Sequence, residues 1–406
     1  MVPNRWDVRP LADIALITSG GTPSRTKPEF WQNGTIPWIR TTEVQNCILT
    51  PDDVQEYISE EGLKGSSAKL VPSGTVLLAM IGQGKTRGQV ALLRFESTIN
   101  QNCAAIIFNN DQEPYFHFNF LLSQYETIRS MSNSAGQSNL SGALVKTIKV
   151  PVPPLAEQKK IAKILSVWDK AITITEKLLA NSQQQKKALM HQLLNGHTRL
   201  PGFSNRWMGG VLGDIATIDS GFAFKSNTFI NTDNGIPVIR MNNLKNGRLD
   251  ISDSVKISPE ITKGLEKFSL LENDFLFGMS GSLNNYAWVT AKDLPCYLNQ
   301  RVGRITAKNN HDQTFLTYLY LSDKVQKSIL DKAEGAAQLN ISINELRETP
   351  INYPAPKEQK KIAEILLSAD NYITKLQQKL HYLKQEKKAL MQQLLTGKRR
   401  VKVDAA

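Results

Sequence analysis

The sequence predicts an α+β fold built twice along one chain, as two mixed α/β domains that are each followed by a long helix. Residues 157–196 and 358–397 share 22 identities over 40 positions, at an offset of 201. Both segments are rich in Gln, Lys, Leu and Ala, which favour helices, and neither contains Gly or Pro before its last residue. The parts that precede them contain short apolar runs separated by turns rich in Gly, Ser and Asn.

The composition is that of a globular protein with an excess of positive charge. The chain has 406 residues, with 49 Lys+Arg against 37 Asp+Glu and a formal net charge of +12. Hydrophobic residues make up 41% of the chain, which is enough for real cores and excludes a disordered polyelectrolyte. The basic excess favours an anionic partner, either a nucleic acid or an acidic surface.

Several classes of protein are excluded by what the sequence lacks. No apolar run approaches the ~18 residues of a membrane span, and the start, MVPNRWDVRP, lacks the apolar core of a signal peptide. The cysteines Cys47, Cys103 and Cys296 are far apart, and the five histidines have no ligand spacing. We therefore expect a cytoplasmic protein with no membrane segment, no disulfide framework and no metal site.

Helix breakers and the repeat itself divide the chain into five parts. Pro153 and Pro154 precede the first long helix and Gly196 follows it, which is the usual placement of these residues. Upstream, the two halves share only a skeleton, in which Ile36–Arg40 matches Ile236–Arg240. The predicted parts are a first variable domain at 1–150, a helical region at 151–197, a second variable domain at 198–351, a helical region at 352–397 and a basic tail at 398–406.

Local patterns predict strands and helices inside the variable domains. Continuous apolar runs indicate buried strands at Val76–Met80, Ala104–Phe108, Ile236–Arg240 and Phe275–Phe277. One amphipathic helix is predicted in each domain, at Phe116–Met131 and at Thr314–Lys332.

The long helices carry an apolar stripe at spacings of four and three residues, the pattern of a coiled-coil seam. Because a lone helix with such a stripe would be unstable, the stripe needs a partner, which is either the other copy in an antiparallel pair or a second chain. Thr175, Ser182, Lys186 and Lys387 interrupt the stripe and are expected to set its register. The predicted seam residues are Ile161, Leu165, Trp168, Ile172, Leu179, Leu189, Leu193, Ile362, Leu366, Ile373, Leu376, Leu380, Leu383, Leu390 and Leu394.

Catalytic motifs in the sequence are weak. Ala79-x-x-x-x-Gly84-Lys85-Thr86 fits a relaxed phosphate-loop pattern, but a strand-like run follows where a helix should begin. The hypothesis of a nucleotide-dependent DNA-processing enzyme therefore rests on Lys85 alone. Asp274–Gly281 faintly resembles a methyltransferase loop, but its counterpart in the first half has no carboxylate at the matching place. We expect no catalytic residues in this chain.

Four polar loops recur at matching places in both variable domains. They mix Arg and Lys with Ser, Thr, Asn and Gln, the residue types that hold phosphates and recognise base edges. Any one loop is equally well an ordinary solvated turn, and it is the recurrence that favours DNA binding. Arg40 and Arg240, in the shared skeleton, are expected to contact phosphate or to hold structure. The candidate DNA-binding residues are Thr22, Ser24, Arg25, Lys27, Arg40, Thr41, Thr42, Gln83, Lys85, Arg87, Gln137 and Asn139 in the first domain and Lys225, Asn227, Arg240, Asn242, Asn243, Lys245, Ser282, Asn284, Asn285, Tyr286, Gln338 and Asn340 in the second.

The start of each helical region carries a motif that resembles a known family. Pro151–Ile161 has the sequence PVPPLAEQKKI, and Pro354–Ile362 has the sequence PAPKEQKKI. The opening Ser19–Ser24, with Gly34–Ile39 after it, has the form SGGTPS and then GTIPWI. Together with the tandem repeat, these segments resemble the DNA specificity (S) subunit of type I restriction–modification systems over essentially the whole chain. The second opening, Ser220–Phe224, departs from the Gly-Thr-Pro form, as expected if the two domains recognise different bases.

The resemblance implies both a fold and a function. The variable domains would be target recognition domains, joined by two helices in an antiparallel coiled coil with pseudo-twofold symmetry. Each domain would bind one half of an asymmetric, split site in double-stranded DNA, and the helices would set the spacing. Two modification subunits would methylate adenine with S-adenosylmethionine, and restriction subunits would use ATP and Mg²⁺, so this chain would be noncatalytic and bind no cofactor. A coiled-coil scaffold with two protein-binding domains stays an alternative.

Overall fold

The computed structural model describes residues 3–82, 84–134, 139–281, 283–308, 310–333 and 340–403. The chain forms two compact units: unit 1 is Met1–Glu176 with Gln378–Ala406, and unit 2 is Lys177–Gln377. Each unit contains one mixed α/β domain, the first half of one long helix and the second half of the other. The candidate residues Gln83, Gln137, Ser282 and Gln338 lie outside the described residues.

Unit 1 is built on two main sheets. Its strands are β1 Asp7–Pro10, β2 Ala15–Ser19, β3 Ile36–Ile39, β4 Cys47–Leu49, β5 Glu56–Ile58, β6 Leu70–Val71, β7 Val76–Ala79, β8 Val90–Leu93, β9 Ser97–Ile99, β10 Cys103–Phe108 and β11 Lys149–Val152. The larger sheet has the order β2-β10-β7-β8-β4, the smaller has the order β5-β3-β9-β6, and β1 pairs with β11. Most neighbours are antiparallel, and β4 with β8 and β3 with β9 are parallel.

Unit 2 repeats the main strand pairings of these sheets but not their complete strand orders. Its strands are β12 Met208–Val211, β13 Ala216–Ser220, β14 Phe229–Ile230, β15 Ile236–Ile239, β16 Leu244–Lys245, β17 Gly247–Leu249, β18 Val255–Ile257, β19 Phe275–Gly278, β20 Tyr286–Trp288, β21 Tyr297–Leu298, β22 Val302–Ala307 and β23 Pro350–Tyr353. The larger sheet has the order β13-β22-β19-β20-β17-β16, and the smaller has the order β14-β18-β15-β21. The predicted strands correspond to β7 and β10 in the larger sheet of unit 1, to β19 in the larger sheet of unit 2 and to β15 in its smaller sheet. The sequence therefore predicted central strands of both larger sheets.

The helices comprise short ones in the α/β domains and two long ones. They are α1 Glu60–Lys64, α2 Pro114–Ser123, α3 Tyr125–Ser134, α4 Gly142–Thr147, α5 Leu155–Leu194, α6 Leu212–Ile215, α7 Gln313–Tyr320, α8 Asp323–Ala333, α9 Ile343–Arg347 and α10 Pro356–Leu394. The predicted α+β class and the tandem arrangement are confirmed.

Two predicted helices are wrong as single elements. The segment Phe116–Met131 is divided between α2 and α3, and Thr314–Lys332 is divided between α7 and α8. The second break has a visible local cause, because the Ser322 hydroxyl donates to the Leu319 carbonyl at 2.6 Å and accepts from the first turn of α8. Ser322-Asp323 is therefore a helix start within an otherwise continuous amphipathic pattern.

Within unit 1, the start of α5 packs against the end of α10. Ile161 and Leu165 belong to the same buried cluster as Met391 and Leu394, together with Phe116 of α2. Lys384 pairs with Glu176, and Lys387 pairs with Asp169, so the numbering rises along one helix while it falls along the other. The two helices are antiparallel here, and the stripe predicted from spacing faces its partner.

Unit 2 shows the complementary arrangement of the same helices. Ile362 and Leu366 at the start of α10 are buried with Leu193 and Leu194 at the end of α5. The predicted antiparallel pairing of the two copies is confirmed, so the seam does not need a second chain. Every predicted seam residue is at least half-buried, and those that are only half-buried are Trp168, Ile172, Leu179, Leu189, Leu380, Leu383 and Leu390.

Candidate nucleic-acid interface

A repeated Glu–Gln pair at the start of each long helix holds the α/β domain of the same unit. In unit 1 the buried Glu157 carboxylate accepts hydrogen bonds from Trp6 Nε1 at 3.0 Å, Arg400 Nε at 2.6 Å and Arg400 Nη2 at 2.7 Å. Gln158 Oε1 accepts from the backbone N–H of Glu113, the N-cap of α2, at 2.9 Å. These polar side chains are engaged inside the unit and are not available to a ligand.

Unit 2 contains the same two contacts. Glu358 accepts from Arg199 Nε at 2.9 Å and from Arg199 Nη2 at 2.8 Å. Gln359 Oε1 accepts from the backbone N–H of Asp312, the N-cap of α7, at 3.1 Å. Arg199 and Arg400 are related by the offset of 201, so the arginine that follows each long helix binds the glutamate at the start of the other.

The basic tail predicted at 398–406 is partly built into unit 1. Besides its ion pair, Arg400 donates to the carbonyl of Asn4 at 2.9 Å, and its guanidinium lies 5.8 Å from the centre of the Trp6 ring. Gly397 has φ of +73°, and a Cβ there would lie 2.3 Å from Pro3 Cγ. Arg400 therefore completes an internal contact, which takes it out of the charge available for DNA.

A polar junction connects three elements of unit 1. Lys387 Nζ of α10 lies 2.6 Å from Asp169 Oδ1 of α5, and the Tyr115 hydroxyl of α2 donates to the same carboxylate. Burial is the main cause that raises the pKa of Tyr115, so the hydroxyl keeps its proton and remains a donor. The junction ties both helices to the α/β domain.

Unit 2 has an equivalent junction. Lys186 Nζ lies 2.6 Å from Asp370 Oδ1, and the Tyr318 hydroxyl donates to Asp370 Oδ2 at 2.5 Å. Burial also raises the pKa of Tyr318. Lys186 and Lys387, predicted to set the register of the seam, each bind a carboxylate on the opposite helix.

In unit 1 the first two polar loops are joined through one carboxylate. Glu56 of β5 accepts from Arg25 Nη2 at 2.6 Å and from Arg40 Nη1 at 2.6 Å. Arg40 also donates from Nη2 to Glu43 at 2.7 Å, and this bond is the main cause that raises its pKa. The Arg25 guanidinium stacks on Trp31 at 3.5 Å from the ring centre. Arg25 remains about half exposed, whereas Arg40 is less exposed and is paired with two carboxylates.

A tight turn after β9 contacts the first and third loops of unit 1. The side chain of Thr22 donates to Gln101, and the backbone N–H of Met80 donates to the Asn102 carbonyl at 2.9 Å. Gly20 has no room for a side chain, because a Cβ there would lie 1.8 Å from the Ile99 carbonyl oxygen. The repeated Ser-Gly sequence is therefore required by this close approach.

The third and fourth loops of unit 1 meet on the same side. Leu140, which follows the fourth loop, donates its backbone N–H to the Met80 carbonyl at 2.9 Å. The Tyr125 hydroxyl of α3 donates to the Lys85 carbonyl at 2.7 Å. Met80 thus links the turn at Asn102 with the residue that follows the fourth loop, and the described parts of the four predicted loops lie near this turn.

Unit 2 clusters its loops around the corresponding turn after β21. The Phe222 carbonyl accepts from the backbone N–H of Gln300 at 3.0 Å, and Met279 donates to the Arg301 carbonyl at 3.1 Å. Asn299 donates to the Ile239 carbonyl at 3.1 Å, and Ile341 donates to Met279 at 3.0 Å. A residue that flanks each of the four predicted loops is thus connected to this turn, directly or through Met279.

The predicted site residues differ in accessibility. Those that are exposed are Ser24, Arg25, Lys27, Thr42, Lys85, Asn139, Lys225, Asn227, Asn242, Lys245, Asn284 and Asn340. Those that are half-buried are Thr22, Arg40, Thr41, Arg87, Arg240, Asn285 and Tyr286. Asn243 is buried, accepts from the backbone N–H of Arg240 at 2.9 Å and donates to the Asp250 carbonyl at 2.9 Å. Asn243 and Arg40 therefore have internal structural roles.

The residues considered as catalytic or metal-binding candidates do not form such sites in the described part of the chain. Lys85 lies in an exposed turn that is followed by β8, not by the helix that a phosphate loop requires. Burial raises the pKa of Cys296 to about 12 and also raises that of Cys103, so neither thiol is a nucleophile near neutral pH. No group of three His, Cys, Asp or Glu side chains among the described residues is arranged to hold a metal ion.

Comparison with known families decides what this repeated scaffold is. The sequence model of the family described as "Type I restriction modification DNA specificity domain" matches residues 3–181 and again residues 205–385. The chain belongs to this family. It carries two copies of the specificity domain, one in each half, as the internal repeat predicted.

Individual relatives agree over nearly the full length. The chain is 26% identical to the type I restriction enzyme MjaVIII specificity subunit of Methanocaldococcus jannaschii, with 99% of this chain and 94% of the relative covered. Its fold is similar to that of a type I restriction–modification S subunit from M. genitalium, with a TM-score of 0.62, 17% identity and coverage of 97% and 98%. A chain from a structure of the type I R-M system gives a TM-score of 0.58, at 19% identity and coverage of 98% and 100%.

No helix of the described residues has the length and apolar character needed to cross a membrane.

Sequence reasoning missed the internal contacts of the repeated segments. The sequence predicts no contact for Glu157 or Asp169 and places Arg400 in the basic tail, although all three recur at the offset of 201. That recurrence was a usable signal, because paired charges that repeat together in two copies indicate a contact that both copies need. What the sequence alone could not indicate was which charge binds which.

Proposed function

We propose that this chain is the noncatalytic, sequence-specific DNA-binding subunit of a type I restriction–modification complex. Each α/β domain binds one half of an asymmetric, bipartite site, and the paired helices set the distance between the halves. One observation carries the proposal: equivalent strand pairings bring the described parts of the four polar loops together in each unit, while the residues in those loops differ between the units. A repeated scaffold with divergent loops suits recognition of two unlike half-sites.

The partners follow from the same proposal. Two modification subunits methylate adenine with S-adenosylmethionine, restriction subunits cleave with ATP and Mg²⁺, and both dock on the helical regions. This chain itself binds none of these cofactors and acts in the cytoplasm. The basic balance of the chain, +12, suits contact with a DNA backbone.

The decisive experiment is to map methylated adenines in DNA from cells that express this chain with its modification subunits. We expect a single bipartite motif with two unlike halves. Replacing residues 198–351 by the corresponding domain of another specificity subunit should then change one half of the motif and leave the other half and its partner adenine unchanged. A change in both halves would contradict the assignment of one half-site to each domain.

Two alternative functions are separated by simple measurements. A scaffold with two protein-binding domains would show no steep fall in duplex-DNA affinity as salt rises, whereas a DNA-binding chain would. A nucleotide-dependent enzyme would hydrolyse ATP without its partners and lose that activity in Lys85→Ala. We expect no ATPase activity in the purified parent chain.

A further inference from the structure

The two units differ at one arginine of their shared skeleton. Arg40 follows β3 and Arg240 follows β15, each at the end of the sequence Ile-Pro-x-Ile-Arg. In both units the backbone N–H of this arginine donates to the side chain three residues later, Glu43 at 2.7 Å and Asn243 at 2.9 Å. The local backbone is therefore the same, and the guanidinium groups leave it from equivalent positions.

The surroundings of the two guanidinium groups are different. In unit 1, Glu43 and Glu56 accept from Arg40, and Glu56 stands opposite Trp38 in the strand pairing. In unit 2, Asn243 takes the place of Glu43. Val255 takes the place of Glu56, because it stands opposite Val238 in the equivalent pairing.

Both carboxylates that neutralise Arg40 are thus missing around Arg240. No hydrogen bond or ion pair joins the Arg240 guanidinium to the described residues, and its Nε is buried without an acceptor. The segment 240–248 contains three cationic side chains and no carboxylate, whereas 40–48 contains one of each. A buried, unpaired N–H is unfavourable, so this guanidinium is left in need of an anionic acceptor.

We propose that Arg240 binds a phosphate of the DNA backbone, and that this contact is made by unit 2 and not by unit 1. The inference rests on the proposed function and adds an asymmetry to it. A phosphate offers several acceptor oxygens to a planar guanidinium, which suits a donor that has lost both of its carboxylates. The position belongs to the skeleton that both units share, so it contributes affinity and not a choice of base.

The test measures the salt dependence of binding to two labelled DNA duplexes of unrelated sequence. The protein is the full chain purified with its modification subunits. Arg240→Gln should weaken binding about tenfold at low salt for both duplexes. The fall of log K with log salt should also become less steep by about 0.9, the value for one phosphate contact. Arg240→Lys should keep the slope, because the charge is retained.

The matched variant is Arg40→Gln in unit 1. Its slope should equal that of the parent, although its melting temperature should fall, because Glu43 loses its ion pair and Glu56 keeps only Arg25. The double variant Asn243→Glu/Val255→Glu introduces the missing carboxylates into unit 2. It should reduce the steepness of the salt dependence as much as Arg240→Gln does, with the arginine still present.

Three outcomes would overturn the proposal. An unchanged slope in a folded Arg240→Gln variant would show that Arg240 does not contact phosphate. Loss of binding to only one of the two duplexes would show base recognition in its place. An equal fall in slope for Arg40→Gln would remove the asymmetry between the units. Failure of the parent complex to bind either duplex would instead contradict the proposed function itself.

Discussion

The two units hold their long helices with the same contacts but complete them to different degrees. Glu157 in unit 1 accepts from an arginine and from Trp6 Nε1, whereas among the described side chains only an arginine donates to Glu358 in unit 2. Trp207 occupies the place of Trp6, and its Nε1 is buried without a hydrogen-bond partner in the described structure. Unit 1 also pairs Lys384 with Glu176, a position where unit 2 has Gln377.

The two copies have many identical residues in the long helices and few in the polar loops, and the contacts of each region give the reason. The segments with the most identities supply ion pairs, helix caps and seam contacts within the protein, which every copy needs. The loops are attached to a shared turn by backbone hydrogen bonds, and these place few limits on side chains. Side chains in the loops are therefore free to differ, while the helix side chains that make the shared contacts, such as Glu157 and Glu358, are kept.

The largest expected loss of stability comes from the seam between the long helices, and it should be equal in the two units. Leu165 and Leu366 are related by the offset of 201, and both are fully buried where α5 and α10 pack. Substituting either by Ala should destabilise its own unit by about 3 kcal/mol, because a cavity is left in a close-packed seam. Hydrogen exchange of peptides from each unit is the measurement. A loss in one unit that is more than twice that in the other would break the equivalence of the two seams.

Replacing the buried glutamate at the start of each long helix should cost less stability, and the cost should differ between the two units. Glu157→Ala removes the carboxylate that accepts from both Arg400 and Trp6, whereas Glu358→Ala removes the carboxylate that accepts from Arg199. We expect a loss of about 3 kcal/mol for the first and about 2 kcal/mol for the second, since one further buried hydrogen bond contributes about 1 kcal/mol.

Thermal unfolding of each variant, alone and with Trp6→Phe, checks this difference. Trp6→Phe should abolish the excess cost of Glu157→Ala, because the indole N–H is then absent. If the excess persists in the double variant, the indole hydrogen bond is not its cause.

The smallest effect depends on pH and should appear in unit 1 only. His117 of α2 is fully buried, and burial lowers its pKa from 6.5 to about 3, whereas Leu316 stands at the same distance from the N-cap of α7. The unfolded chain takes up a proton below about pH 6.5 and the folded chain does not, so stability is retained above that pH and lost as pH falls. The loss is at most about 1.4 kcal/mol per pH unit.

His117→Leu should therefore gain stability relative to the parent as pH falls from about 6.5 to about 5. Melting temperatures of both proteins across this range are the measurement, and the carboxylates common to both cancel in the difference. A difference that does not vary with pH would show that His117 takes up its proton in the folded protein at least as readily as in the unfolded chain.

Much of the fold could be predicted from the sequence, because its signals are periodic. The seam was predicted from spacing alone, and all fifteen residues named for it are at least half-buried. Breaks inside amphipathic helices were missed, since Ser322 interrupts the backbone without interrupting the apolar pattern. The candidate site was predicted as a set of loops, and the structure clusters them, but their partners are set by tertiary contacts. Only the structure shows that Arg40 is neutralised by Glu56 from a neighbouring strand.

The closing contact of Arg400 with Glu157 has a consequence for the order in which the protein is made. A ribosome releases residues 1–176 first, yet unit 1 also needs the end of α10 and the arginine at position 400. Unit 2 is continuous from 177 to 377 and has all of its parts earlier. The domain that is synthesised first is therefore completed after the second, and until residues 391–400 have been made it exposes the apolar face that Met391 and Leu394 later cover.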